Sequence, residues 1–147
     1  MNPTAVKFGY PETLLADWTH WAVLLRPAQV TIGSLVLVCR DPVQRFGAIS
    51  PGAAAELRLV VAAIESTLGE GLRFDKLNYL MLMMVDPDVH FHVIPRYAGA
   101  RSYAGSEFDD PSWPGPPDLS RTQPLAEAAR EALTRDLRAR LASARSR

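Results

Sequence analysis

Short runs of apolar and β-branched residues alternate with turn-forming residues in the first forty positions of the chain. Residues His20–Arg26 and Ser34–Arg40 are rich in valine, leucine and aromatic side chains, and Pro27 and Gly33 lie between them. Runs of β-forming residues bounded by proline and glycine are typical of strands joined by a turn. The pattern therefore predicts an antiparallel pair of strands in this region.

Apolar residues recur at helical spacing in two later segments. The first follows Ser50, a favourable N-cap, and Pro51, a favourable first helical residue, and we expect Gly69 and Gly71 to end it. The second runs to the C-terminus, and we expect its apolar stripe to pack on a sheet or on a second subunit. The apolar residues of the two segments are Leu57, Val60, Val61, Ile64 and Leu68, and then Leu125, Ala129, Leu133, Leu137 and Leu141.

Two more strands are predicted over residues 76–84 (KLNYLMLMM) and 88–95 (DVHFHVIP). The Asp86–Pro87 turn between them is short, which allows only an antiparallel hairpin. Beyond Asn78, the first of these strands has no polar face. Such a run favours a place at the centre of the sheet or against a partner subunit.

Two of the three histidines lie one residue apart in DPDVHFHVIPRY, which covers residues Asp86–Tyr97. Successive side chains of a strand point to opposite faces. Asp88, His90 and His92 are therefore predicted to share one face, and the opposite face holds Val89, Phe91 and Val93. One face is apolar, and the other carries groups that can do chemistry.

Composition limits the possible partners and location. The chain has 147 residues, 48% of them hydrophobic, which suits a single domain, and its formal net charge of zero does not favour nucleic acid or a membrane surface. The single cysteine, Cys39, excludes an internal disulfide framework. The N-terminus lacks the pattern of a signal peptide, and no apolar run approaches the roughly 20 residues that span a bilayer. We expect a cytoplasmic protein that binds neither nucleic acid nor membrane.

The character of the chain changes after residue 100. Five prolines lie between Pro111 and Pro124, which predicts a long loop without regular structure. We therefore expect residues 1–100 to form the core of one domain. Residues 101–147, with the proline-rich loop and the C-terminal helix, are expected to pack on that same domain.

The stretch VHFHVIPR, residues 89–96, resembles the end of the histidine triad signature, in which histidines alternate with apolar residues and Pro-Arg follows. Residues 33–57, GSLVLVCRDPVQRFGAISPGAAAEL, resemble the corresponding segment of the fragile-histidine-triad branch, whose members are dinucleoside polyphosphate hydrolases. The two blocks occur in the expected order. The resemblance covers roughly residues 20–100.

This resemblance implies an α+β fold with a five-stranded antiparallel sheet, one main helix after the second strand and a C-terminal helix, usually as a homodimer. It implies a hydrolase or nucleotidyl transferase that needs no cofactor or metal and acts on dinucleoside polyphosphates or nucleoside phosphoramidates. The middle histidine of the triad attacks the α-phosphate and forms a covalent nucleotidyl-histidine. That histidine falls on His90, and the last one falls on His92.

The chain also departs from the family pattern. The first triad position holds Asp88, the histidine after the glycine of the second strand is Ser34, and a ribose-contacting asparagine is Arg26. An imidazole with an ordinary pKa of about 6.5 is unprotonated at neutral pH, so His90 remains a credible nucleophile. In the family, a backbone carbonyl near the last histidine holds its second ring nitrogen.

The remaining site residues follow from the same comparison and from simple electrostatics. We expect His92 to orient the phosphate. Asp88 would repel an anionic phosphate unless its carboxyl is protonated, turned away or paired with an arginine. The residues named for contact with phosphate or nucleotide are Ser34, Asp88 and Arg96, with Leu24 and Val36 as the floor of a base pocket. Two alternatives stay open: Arg96 pairs within the protein, with Asp88 or the C-terminal segment, which is the favoured interpretation, and Leu24 and Val36 are ordinary core.

Two alternatives use the same residues. The first is a nucleotide-binding protein with little or no turnover, since several residues that support the nucleophile are replaced. The second is a metal-dependent hydrolase in which Asp88, His90 and His92, joined by the remote His20, hold a divalent ion such as Zn²⁺. A chelator separates the second alternative from nucleotidyl transfer, because transfer through histidine survives EDTA.

Overall fold

A five-stranded antiparallel sheet lies at the centre of the computed structural model, which describes residues 1–147. The strand order is β1-β2-β3-β5-β4, so the histidine-bearing strand β5 lies inside the sheet, between β3 and β4. The predicted α+β fold and sheet are confirmed. The strands are β1 (Leu14–Asp17), β2 (Trp21–Leu25), β3 (Leu35–Cys39), β4 (Lys76–Leu80), β5 (His90–Arg96), β6 (Arg101–Tyr103) and β7 (Ser106–Phe108), and the helices are α1 (Pro3–Lys7), α2 (Pro51–Leu72) and α3 (Glu127–Arg145).

Two short N-terminal elements were not predicted. Strand β1 pairs with β2 across an irregular register, and helix α1 precedes it. Because β1 adds a strand at the start of the chain, the second predicted strand, Ser34–Arg40, is β3. The main helix α2 follows that strand, as predicted. Asn2 caps α1 through a side-chain oxygen that accepts from the Ala5 amide, and Pro3 is its first residue.

Helix α2 begins as predicted and ends later than predicted. The Ser50 hydroxyl accepts a hydrogen bond from the Ala53 amide at 3.0 Å. The helix then continues through Gly69 and Gly71 to Leu72, and Arg73 ends it in the left-handed region with φ of 53°. A Cβ at Gly71 would lie 3.1 Å from Arg140 Nε of α3, so close packing of the two helices explains a glycine inside α2.

The apolar stripe of α3 is confirmed. Ala129, Leu133, Leu137 and Leu141 are all buried, and α3 packs on α2 and on β1 of the sheet. Leu125 lies just before the helix and is half-buried. The main core therefore lies between one face of the sheet and this pair of helices, which leaves the other face for the histidines.

Strand β4 forms an edge of the sheet, which excludes the centre of the sheet and leaves the second alternative, a place against a partner subunit, as a prediction. The strand ends at Leu80, and residues 81–89 form a loop in place of a tight Asp86–Pro87 turn. This segment, called here the 81–89 loop, exposes Leu82, Met84 and Val85. Its apolar residues gave the run the appearance of a buried strand.

The proline-rich region contains a small hairpin, β6–β7, that was not predicted because its strands have only three residues each. Asp110, just after the hairpin, accepts hydrogen bonds from Arg96 of β5 at 2.7 Å and 3.3 Å, which ties this region to the sheet. The division of the domain at residue 100 stays a prediction. No helix combines the length and apolar character needed to cross a membrane.

Candidate functional site

The two faces of β5 differ as the alternation predicts. Phe91 and Val93 face the main core, whereas His90 and His92 face the other side. There they lie opposite Val38 and Val36 of β3, and the two imidazole rings pack edge to face with centroids 5.2 Å apart. The sequence therefore places two nearly buried imidazoles side by side on one surface of the sheet.

The protonation of His90 is fixed by the backbone. Its Nδ1 lies 2.6 Å from the carbonyl oxygen of Asp88. A carbonyl oxygen can only accept a hydrogen bond, so Nδ1 carries the hydrogen, and in the neutral ring the lone pair therefore lies on Nε2. The predicted carbonyl partner exists, although Asp88 at the first triad position supplies it, and the expectation of a carbonyl near the last histidine is wrong.

The carboxylate of Asp88 does not face the histidines. Its Oδ2 accepts hydrogen bonds from the hydroxyl and the amide of Thr4 at 2.8 Å and 3.3 Å, and the residue is buried. Asp88 precedes β5, so the alternation of a strand does not govern its direction. The expectation that Asp88 shares a face with His90 and His92 and contacts phosphate is therefore corrected: Asp88 holds helix α1.

His92 is a neutral hydrogen-bond donor at this site. Arg26 Nε donates to its Nδ1 at 3.3 Å, which leaves the hydrogen of the neutral ring on Nε2. Burial lowers the pKa of His92 to about 4, and the charges of Arg26 and His90 act in the same direction. Sequence reasoning noted Arg26 only as a departure from the family pattern and gave it no role.

The N-terminal segment covers the remainder of this sheet face. Ala5 of α1 is fully buried against Leu24 and Val36, and Phe8 packs its ring on both histidines, with centroids 6.1 Å and 5.5 Å away. Leu24 and Val36 therefore lie under α1 and border none of the cavities described here. The expectation that they floor an open base pocket does not hold in this conformation.

A small cavity opens in front of the two histidines. Its volume is about 190 Å³, and its wall is the apolar part of the 81–89 loop together with Asp86. Both oxygens of Asp86 accept from Lys7 Nζ, at 2.8 Å and 2.9 Å, so the loop is tied to α1. Pockets for whole small ligands commonly measure roughly 300–1,000 Å³. In this conformation the cavity therefore admits a phosphate-sized group more readily than a complete nucleotide.

Two other predicted site residues have structural partners. The Ser34 hydroxyl is fully buried, donates to the carbonyl of Thr31 and accepts from the Thr31 amide, so it is not available to a phosphate. Arg96 is also buried, with its guanidinium bonded to Asp110, Asn78 and Gly115. The expectation that Ser34 and Arg96 contact nucleotide is corrected on these grounds.

The third histidine lies outside the site. His20 precedes β2, and its Nδ1 lies 2.8 Å from Asp41 Oδ2. It does not line the cavity beside His90 and His92. No group of three or more histidine, cysteine, aspartate or glutamate side chains is arranged to hold a metal ion. The three-residue ligand set considered from the sequence is not assembled, because the Asp88 carboxylate is bonded to Thr4.

Solved structures with this fold are numerous, whereas no protein-family model and no curated protein matches the chain. A histidine triad protein of Bradyrhizobium japonicum is 25% identical, with 96% of this chain and 97% of that chain covered and a TM-score of 0.71. A histidine triad protein of Marinobacter aquaeolei is 23% identical over 90% and 91% of the two chains, with a TM-score of 0.72. A zinc-bound histidine triad family protein of Mycobacterium smegmatis is 21% identical over 97% and 94%, with a TM-score of 0.63.

Proposed function

We propose that the chain, which has the fold of the histidine triad proteins it resembles, is a member of that family, binds a nucleoside phosphate conjugate and cleaves it at the α-phosphate through His90. The conjugate is a dinucleoside polyphosphate or a nucleoside phosphoramidate. One observation carries this proposal. In the neutral His90 ring the lone pair lies on Nε2, because Nδ1 donates its hydrogen to the Asp88 carbonyl, and the ring borders a cavity of phosphate size.

The proposed reaction has two steps. First, Nε2 of His90 forms a bond to phosphorus while the bond from phosphorus to the leaving group breaks, and the leaving group departs with the electron pair. A polyphosphate leaves as an anion, whereas the nitrogen of a phosphoramidate takes a proton from water and leaves as the amine. The positive charge that develops on the ring is shared with the Asp88 carbonyl. Second, water attacks phosphorus, the bond to Nε2 breaks, and the water proton passes to solvent. His92 donates Nε2–H to a phosphate oxygen throughout.

Mass spectrometry of the intact protein tests the proposal. After mixing with adenosine phosphoramidate, the wild type should gain the mass of an adenylyl group for a short time. His90→Ala should not gain it, and His20→Ala, which removes the histidine remote from the site, should behave as the wild type does. Absence of the adduct in the wild type, or its persistence in His90→Ala, contradicts the proposal.

The cavity volume favours one alternative, a nucleotide-binding protein with little turnover. The space in front of His90 is about 190 Å³, and α1 covers Leu24 and Val36. A ligand larger than phosphate therefore requires the N-terminal segment or the 81–89 loop to move. Calorimetry with AMP separates the two functions, since AMP binding without any adduct from the phosphoramidate supports the binding protein.

Metal-dependent hydrolysis is not retained. The zinc-bound relative raises the question, but this chain offers only Nε2 of His90 and Nε2 of His92 at the site. Both Nδ1 atoms are in hydrogen bonds, and both oxygens of Asp86, which also borders the cavity, accept from Lys7. Zinc in proteins usually has at least three protein ligands. We therefore predict that excess EDTA leaves adduct formation and turnover unchanged, and a loss that added Zn²⁺ restores would contradict this.

The homodimer belongs to the same proposal. Strand β4 has a free edge, and the 81–89 loop that continues it exposes Leu82, Met84 and Val85. Free strand edges with adjoining apolar residues favour pairing with another chain. Light scattering during gel filtration should give twice the monomer mass at micromolar concentration, and a monomer would contradict the dimer. A cytoplasmic location stays a prediction.

A further inference from the structure

Arg26 is the one buried or half-buried arginine near the histidines, and the backbone fixes its position. It directly follows β2, its amide donates to the carbonyl of Ser34 at 2.9 Å, and its own carbonyl accepts from Gln29 Nε2 at 2.7 Å. Gln29 is buried and bonds again to Ser34. The turn between β2 and β3 therefore holds Arg26 so that its side chain reaches across to β5.

Most of the hydrogen-bonding capacity of this guanidinium is unused. Arg26 Nε donates to His92 Nδ1 at 3.3 Å, and one terminal nitrogen donates to the carbonyl of Ala28. A guanidinium has five N–H groups, so three have no partner in the protein. Arg26 also forms no ion pair, although its side chain is half-buried. A half-buried cation without an acidic neighbour favours an anion beside it.

The contact with His92 gives Arg26 a second effect. A guanidinium cannot accept a hydrogen bond, so its contact with Nδ1 requires that nitrogen to be unprotonated. The hydrogen of the neutral ring then lies on Nε2, and His92 borders the cavity together with His90. The opposite tautomer would present a lone pair to the phosphate and repel it.

We propose that Arg26 is a positioning residue that keeps His92 in its Nε2–H form. From the Nδ1 side of that ring, outside the cavity wall, it also adds a positive charge near the substrate phosphate. This proposal rests on the function proposed above. The side chain at the first triad position, Asp88, cannot contact the phosphate, because its carboxylate is bonded to Thr4, and Arg26 provides a positive charge in its place. Arg26 does not contact His90, whose ring is held by the Asp88 carbonyl.

Three substitutions separate the two effects of Arg26. In Arg26→Gln, the amide nitrogen is attached to Cδ as Arg26 Nε is, so the donor to His92 is kept and the charge is lost. Arg26→Lys keeps the positive charge and replaces the planar guanidinium with an ammonium. Arg26→Met loses both. Arg58→Met removes an exposed arginine of α2 and serves as the matched control.

Nitrogen chemical shifts of the His92 ring, measured by NMR, report the tautomer independently of activity. We expect the Nε2–H form in the wild type, Arg26→Gln and Arg58→Met, and a mixture of tautomers in Arg26→Met. The titration of His92 is read in the same spectra, against the charged groups that act on it: Arg26, His90, Asp86 and Lys7. Loss of Arg26 should move this titration toward higher pH.

AMP binding, measured by calorimetry, reports the charge. We expect the dissociation constant to rise about 10–100-fold in Arg26→Met and Arg26→Gln, less in Arg26→Lys, and not in Arg58→Met. Turnover should fall about 100-fold in Arg26→Met. A protonated Nδ1 on His92 in the wild type overturns the proposal even if Arg26→Met does not fold, and so does AMP affinity that is unchanged in both Arg26→Met and Arg26→Gln.

The failure of this proposal is distinguishable from failure of the proposed function. If no variant forms an adduct with the phosphoramidate, while the tautomer and AMP affinity still depend on residue 26, then the cleavage reaction is wrong and the positioning role stands. If the wild type forms the adduct and Arg26→Met does so at an unchanged rate, the reaction stands and the role of Arg26 is wrong.

Discussion

The two ends of β5 carry polar side chains on the same face of the sheet, yet their surroundings differ. At its C-terminal end, Arg96 is enclosed and bonded to Asp110, Asn78 and Gly115, so its charge and its donors are used within the protein. At its N-terminal end, His90 and His92 have one protein partner each and share a cavity. The C-terminal end of β5 therefore serves to hold the fold together, whereas its N-terminal end keeps hydrogen-bonding groups that a ligand can use.

The largest effect is expected from His90→Ala. If the histidine end carries the reaction, loss of the nucleophile should lower turnover about 10⁴-fold or more, because no other group in the cavity can attack phosphorus. The midpoint of urea unfolding should change much less than turnover does. Turnover of the phosphoramidate within tenfold of the wild type would show that His90 is not the nucleophile.

Asp110→Ala should do the opposite of His90→Ala: it should lower the stability of the protein strongly and change turnover little. It leaves the Arg96 guanidinium buried without an acid and removes the acceptor of the Tyr97 amide, so the free energy of unfolding should fall by about 3–5 kcal/mol. Asp109→Ala, which removes an exposed partner of Arg121, is the control and should cost less than about 1 kcal/mol. Equal losses in the two variants would remove the distinction between the ends of β5.

The stability of the protein should depend on pH through His92. Its pKa in the folded state is about 4, below the ordinary value of about 6.5, so the unfolded chain binds the proton first as pH falls. The free energy of unfolding should therefore decrease between about pH 6.5 and pH 4, by about 2–3 kcal/mol in total. Chemical denaturation of the wild type and of His92→Asn measures this, and identical slopes in the two proteins would contradict it.

Asp88→Ala should have the smallest effect of the four. It removes two hydrogen bonds to Thr4 and should lower the free energy of unfolding by about 1–3 kcal/mol. Turnover should stay within a few-fold of the wild type, because residue 88 still presents its carbonyl to His90. Thr4→Val provides the matched loss from the other side, and a large loss of turnover in Asp88→Ala alone would give its carboxylate a direct role.

Local patterns predicted the two faces of β5 and the two long helices, because alternation and helical spacing are properties of neighbouring residues. They did not predict α1, β1 or the β6–β7 hairpin, whose three to five residues carry little periodicity. The partners of the site residues were also missed. Asp88 meets Thr4 across 84 positions of the chain, and Arg26 meets His92 across 66. Such contacts depend on how the elements pack, which no local pattern encodes.

The resemblance to the family named residues of the right strands and turns, but it did not predict what surrounds each of them. Leu24 and Val36 lie on the face that carries the histidines, as the comparison implied, but α1 covers them. Ser34 and Arg96 also occupy the expected positions, and each has its polar atoms satisfied within the protein. Whether a polar side chain is free to bind a ligand depends on its neighbours in space, and alignment of positions gives no information about those.

The bond between His90 and the main chain of residue 88 has a consequence for how this site tolerates change. Every amino acid has the same carbonyl, so a substitution at position 88 keeps the acceptor that holds the His90 ring. The side chain of residue 88 is therefore free to bond elsewhere, as Asp88 does with Thr4. The main chain and the side chain of residue 88 thus have separate roles: the carbonyl holds the His90 ring, and the carboxylate holds helix α1.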